Sequence, residues 1–241
     1  MTLPALRRAE GTERMDEPGV ERDLLADSLS DLRNVNRWLG GRRVVFRHLL
    51  PMLQRVPGRA VRVLDVATGG ADIPLALSEW GRVEAERVEV VATDLHDVTL
   101  ELARAQAAHD PGVRVERADA LRLPYPDGSF DFALCSTALH HFDPAAAVRV
   151  LRELDRVATL GWVVNDLRRS FFGLLGARFL AATVWRGSPV TRHDGPLSVR
   201  RAYTPEEVAM IAHAAGIFAA RVHTHFPFRL ALVVDRTRVP G

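Results

Sequence analysis

The chain has 241 residues, 47% of them apolar and 26% charged, enough for a sizeable core and unlike a charged disordered tail. All 32 cationic residues are arginines and face 30 acids, so the formal charge is only +2 and the high isoelectric point reflects arginine rather than a large positive field. Without a lysine there is no Schiff-base nucleophile or phosphate-loop lysine, and the single Cys135 excludes an internal disulfide and a multi-cysteine zinc site.

Residues 1–19 are polar, carry no apolar leader core, and read as a flexible N-terminus. Over 20–57, Leu24, Leu25, Leu29, Leu32, Val35, Trp38 and Leu39 recur at helical spacing, and a second helix is predicted for 43–53 between the Gly40-Gly41 and Pro57-Gly58 breaks. This segment reads as a helical cap on a main domain spanning 58–241. Short apolar runs then alternate with helical stretches. Strands are predicted at 61–66, 88–93, 113–116, 130–134 and 162–164, with helices to about Trp80, over 97–108, and through Ala145, Val148, Leu151, Leu154 and Val157. That alternation signals an α/β fold, a mostly parallel sheet with helices on both faces. A helical region at 168–185, a polar loop at 186–200 and a helix opened by Thr204-Pro205-Glu206-Glu207 follow. Two final strands, 218–225 and 228–234, meet near Pro227. The longest apolar stretch, Phe171 to Trp185, is interrupted by Gly173, Gly176 and Arg178. It is too short for a membrane span, and a cytoplasmic location is expected.

In open α/β sheets, ligands bind beyond the carboxyl ends of the strands. The first strand there runs into Asp65-Val66-Ala67-Thr68-Gly69-Gly70-Ala71-Asp72. A dinucleotide turn would place glycines where Ala67 and Asp72 stand, and a carboxylate at a helix start opposes a pyrophosphate. The turn suits a cationic group near Asp65 or Asp72. Asp94, ending the second strand, can accept from a ribose diol, and Asp119, after the third, from an adenine amino group. Ammonium, ribose and adenine without phosphate describe S-adenosylmethionine.

The segments VLDVATGGADIPLAL, VVATDLHDVTLELAR and VERADALRLPYPDGSFDFALCSTALHHFDP resemble the ordered motifs of class I S-adenosylmethionine-dependent methyltransferases, over roughly 60–165. Ala67 and Ala71 stand where that family usually has glycine. The resemblance implies a Rossmann-like seven-stranded sheet with an antiparallel C-terminal strand. It also implies a cofactor site built from Asp65, Ala67, Thr68, Gly69, Asp72, Asp94, Leu95, Asp119, Ala120 and Ser136, releasing S-adenosylhomocysteine.

A hydroxyl acceptor needs a base. His193, beside Asp194 in the polar loop, is the first candidate, with Asp166 an alternative partner. His140 and His141, just after the fourth strand, are the others, although such a pair also suits a turn into the next helix. Asn165 and Asp166 read as substrate-positioning or structural residues. The loop after the fourth strand carries no acid, so a magnesium site is incomplete and no metal is expected. His223 and His225 alone make a poor metal site. Amino-directed methyltransferases carry a proline pair where Ser136-Thr137-Ala138-Leu139 stands, and no RNA-binding module is visible. With a substrate cap over 168–203, these features favour methyl transfer to the hydroxyl of a small aromatic or polyketide-like acceptor, without nucleic acid. A homodimer remains open through the apolar 168–185 stretch. The alternatives are a nucleic-acid or protein methyltransferase and a catalytically silent cofactor-binding regulator.

Overall fold

The computed structural model describes residues 6–238 except 18, 57, 85 and 86. The apolar runs form strands because their apolar residues alternate between two covered faces. Leu64, Val66, Ala133, Cys135 and Val164 join one core cluster, while Val63, Phe132, Leu134 and Val163 join the opposite one. The strands are β1 (Val61–Val66), β2 (Val88–Asp94), β3 (Val113–Arg117), β4 (Phe130–Ser136), β5 (Ala158–Leu167), β6 (Arg221–His225) and β7 (Arg229–Asp235). They form one sheet in the order β3-β2-β1-β4-β5-β7-β6. All pairings from β3 to β5 are parallel, and β7 runs antiparallel to both β5 and β6. The expected Rossmann-like sheet with an antiparallel C-terminal strand is therefore present. β5 reaches well beyond the predicted 162–164.

The helices are α1 (Arg22–Trp38), α2 (Gly41–Leu53), α3 (Asp72–Val83), α4 (Asp97–Ala107), α5 (Pro144–Val157), α6 (Phe171–Ala182), α7 (Pro189–Arg201) and α8 (Pro205–Ala214). α8 opens with the predicted capping box: Thr204 Oγ1 accepts from Glu207 N, and the Glu207 carboxylate accepts from Thr204 N. The predicted 20–57 cap divides. α2 buries Val44, Leu49, Met52 and Leu53 against the sheet, whereas α1 stands over the strand ends.

Two expectations are corrected. The 186–200 segment is the helix α7, not a loop. Pro189 occupies its first turn, and its polar residues Thr191, Asp194, Ser198 and Arg201 are buried rather than solvated. Nor is the described part of 1–19 loose; residues 1–5 and 18, like the Pro57 break, lie outside the described residues. Residues 6–17 strap across α7. Asp194 accepts from Arg14 N at 2.9 Å and Met15 N at 3.0 Å, Ser198 Oγ donates to Glu13 Oε2 at 2.9 Å, and Ala9 N donates to Arg200 O at 3.0 Å. Arg8 adds donor bonds to the carbonyls of His140, Phe142 and Arg201. Backbone bonds and buried ionic contacts order a segment whose sequence has no apolar pattern.

Candidate functional site

The sheet order reverses beside β1, where β2 lies on one side and β4 on the other, so the loops leaving β1 and β4 diverge and open a crevice. A cavity of about 680 Å³ fills it. α1 roofs it with Ser28, Leu32, Val35, Asn36 and Leu39, while α6 and α7 close the far end. All ten residues expected around the cofactor line this cavity: Asp65, Ala67, Thr68, Gly69, Asp72, Asp94, Leu95, Asp119, Ala120 and Ser136.

The β1–α3 turn is held open by unusual backbone conformations. Ala67 and Ala71 take φ of 56° and 57°, and Gly69 takes 55°. The alanines thus sit in the left-handed region that glycine enters without cost. Thr68 Oγ1 donates to Asp65 Oδ2 at 2.7 Å, whereas the buried Oδ1 has no hydrogen-bond partner. Burial is the main force raising the Asp65 carboxyl to about 7; Thr68 opposes it, and Asp72 and Asp94 add to it. Asp94 Oδ1 accepts from Leu95 N and His96 N at 2.9 and 3.1 Å, and Oδ2 from Gly69 N at 3.0 Å, which ties the two turns together. Asp119 accepts from Leu121 N at 2.8 Å. A lone buried carboxylate oxygen facing a cavity is the partner an ammonium requires, so these residues fit S-adenosylmethionine.

At the other end lies a cluster around the 3-10 turn Leu139–His141. His140 Nδ1 meets Asp166 Oδ1 at 2.7 Å, and His140 N donates to Asp166 Oδ2 at 2.8 Å. Burial opposes the charge on His140, but Asp166 and Glu13 outweigh it and hold the imidazole well above its ordinary range. Against their own burial, His140 holds Asp166 below the usual carboxylate range, and His141, then His140 and Ser198, hold Glu13 below it. His141 Nδ1 meets Asp16 Oδ2 at 2.6 Å. His140 and His141 line the cavity. His193 does not. Its half-exposed ring bonds Asp194 Oδ1 at 2.7 Å from the outer side of α7, because helix formation turns Asp194 inward and its neighbour out. Asp166, the other partner suggested for it, serves His140 instead.

Three cavity residues had no sequence signal. Glu13 comes from the polar N-terminal segment. Asn36, on α1, donates to both Asp72 oxygens at 3.3 and 3.2 Å. Arg229, fully buried at the start of β7, donates to Leu39 O at 2.9 Å, Thr137 Oγ1 at 3.2 Å and Asn36 Oδ1 at 3.4 Å. Burial lowers its guanidinium to about 10, with Asp166 and Asp72 working against that. No helix among the described residues is long and apolar enough to cross a membrane.

Residues 63–161 match the family model of a methyltransferase domain. A demethylmenaquinone methyltransferase of Deinococcus radiodurans is 42% identical over 121 residues, 49% of this chain and 48% of that protein. The chain thus matches only about half the length of that relative. A demethylmenaquinone methyltransferase of Thermus thermophilus is 41% identical over 167 residues, 64% of this chain and 73% of that protein. The solved structure of a SAM dependent methyltransferase from Aquifex aeolicus superposes with a TM-score of 0.60 at 20% identity, covering 86% of this chain and 96% of that one, a likeness of fold.

Proposed function

The chain belongs to the class I S-adenosylmethionine-dependent methyltransferases, and from that premise we propose that it methylates a ring carbon of a small quinol bearing an apolar substituent. The observation that carries this reading is the make-up of the cavity wall. Asp65, Asp94 and Asp119 stand at the strand ends, and beside the Glu13, His140 and His141 cluster Gly173, Gly176, Ala177, Leu180, Val199 and Phe228 add an apolar surface. The names of the Deinococcus and Thermus relatives favour a quinone ring over the polyketide-like hydroxyl expected from sequence.

When bound, S-adenosylmethionine supplies an electrophilic methyl group on sulfur. Asp65 is assigned to its ammonium, Asp94 to its ribose and Asp119 to its adenine. The glycines and Ala177 of α6 admit the acceptor's apolar body, and Leu180 and Trp185 exclude water. A quinol carbon becomes nucleophilic when a ring hydroxyl gives up its proton, and the ring proton leaves after the carbon–carbon bond forms. The Glu13, His140 and His141 cluster is the assigned place for the acceptor's oxygen.

The test is incubation of the purified protein with S-adenosylmethionine and a chemically reduced demethylated naphthoquinol, followed by mass spectrometry. A ring-methylated product reoxidises in air to a quinone, whereas an O-methyl ether does not. A product one methyl heavier that regenerates a quinone is expected. An ether, or no methylation of any quinol, overturns the proposal.

A further inference from the structure

The wall of the cavity holds more than a pair of histidines. His140 Nε2 lies 3.4 Å from Glu13 Oε1, and His141 Nε2 lies 3.7 Å from Glu13 Oε2. One ligand atom from each of the three residues falls within 4.8 Å of the others. His140 Nε2 and Glu13 Oε1 are buried and lack a hydrogen-bond partner. Their separation is long for a hydrogen bond to a charged group, which is about 2.7–2.9 Å. It matches two atoms sharing an ion: ligands about 2.0–2.1 Å from a tetrahedral metal sit about 3.3 Å from each other.

The outer nitrogens strengthen the case. His140 Nδ1 is held by Asp166 at 2.7 Å and His141 Nδ1 by Asp16 at 2.6 Å. Each imidazole is thereby fixed with Nε2 turned to Glu13, the carboxylate–histidine arrangement that supports metal ligands. We propose that Glu13, His140 and His141 bind one divalent transition-metal ion, which displaces the proton His140 otherwise holds between Asp166 and Glu13, with an open coordination position facing the cavity. Two imidazoles and a carboxylate suit zinc, cobalt or iron(II), and not magnesium, which prefers oxygen ligands. The third ligand was out of sight in sequence because it lies in the N-terminal strap.

The site rests on its own geometry, whereas its role in turnover rests on the quinol reading above. There the ion would lower the pKa of a quinol hydroxyl next to it, so that the O–H proton could pass to solvent and the ring oxyanion would be stabilised by the metal's charge.

The experiment is titration of chelator-treated full-length protein with Co(II), followed by absorption spectroscopy and calorimetry, without cofactor or acceptor. The expected result is one Co(II) per chain, displaced by Zn(II). His141→Ala removes that binding, and Asp16→Asn, which loses only the supporting carboxylate, weakens it about 10–100-fold. His141 and Asp16 are chosen because they are partly exposed, and thermal melts verify that both variants fold. His225→Ala, on a separate histidine group at the far edge of the sheet, leaves it unchanged. No stoichiometric binding, or binding that survives His141→Ala and disappears with His225→Ala, overturns the site. Binding as expected in a protein that methylates no quinol upholds the site and sinks only the acceptor reading.

Discussion

Thr68 and Asp65 divide one carboxylate into two unlike oxygens. The hydroxyl satisfies Oδ2 at 2.7 Å and leaves Oδ1 buried without a partner. With its carboxyl raised to about 7, Asp65 is largely neutral at mildly acidic pH and must lose its proton to pair with a ligand ammonium. The native carboxyl binds its proton more tightly than the unfolded one, so alone it stabilises the fold at low pH, and that contribution fades as pH rises from 3.8 through about 7. The ligand reverses this preference. Affinity for S-adenosylmethionine should therefore rise with pH below about 7, by at most about tenfold per unit, and level off above. Asp65→Asn should bind at least about tenfold more weakly at neutral pH, with a flat profile. Calorimetry from acidic to neutral pH checks this, and an unchanged slope in the variant would remove Asp65 from the ammonium site.

Asp94 works on both the protein and the ligand. Its three backbone bonds join Gly69 to Leu95 and His96. Asp94→Ala strips acceptors from those donors and from the ribose, each charge-assisted bond contributing about 1.5–3 kcal/mol. Cofactor affinity should fall at least about tenfold, and the melting temperature should fall as well, with the fold retained by circular dichroism. Normal affinity in a folded variant would show that the ribose does not meet Asp94.

Gly195 tests the helix that replaced the predicted loop. Glycine to alanine in a helix interior ordinarily gains about 0.5–1 kcal/mol. Here a Cβ would come 2.5 Å from Trp185 Cζ3 and 3.2 Å from Cε3, on a ring that is itself buried. Overpacking of that kind costs about 1–3 kcal/mol, so it wins. Gly195→Ala should lower stability in urea unfolding, and a stabilised variant would mean that α7 does not press on Trp185.

What local pattern encodes was legible. β1 and β2 announce themselves by β-branched runs, β4 by an apolar run, α8 by its capping box, and Asp65, Asp94 and Asp119 by their places at strand ends. What depends on distant contacts was not. α7 reads as a loop because Gly195, Pro196 and seven polar or charged residues occupy it, and only the bonds from Arg14 and Met15 to Asp194 and from Ser198 to Glu13 explain why Asp194 and Ser198 are inside. Arg229 carries no signal in the local pattern around it. It is buried because Asn36 and Leu39, at the C-terminal end of α1, and Thr137, in the turn after β4, come to it. His140 and His141 were visible as candidates, but the carboxylates that orient them, Asp166 and Asp16, were not assigned to them.

The edge of the sheet predicts an acid response. His48 on α2 and His225 on β6 approach with their Nε2 atoms 2.9 Å apart, a contact that requires at least one neutral ring. Burial first, then His223, His225 and Arg47, lower the His48 imidazole to about 4; burial, Arg47, His223 and Arg43 lower that of His225. A histidine depressed from 6.5 takes up its proton more readily in the unfolded chain, so the neutral pair stabilises the fold above about 6.5. That contribution is lost as pH falls through about 4. Urea unfolding at steps between pH 7 and 4 should show stability declining, and His48→Gln should decline less steeply because the group that must charge is gone. Parallel curves for the two proteins would mean that His48 carries no net proton linkage to folding.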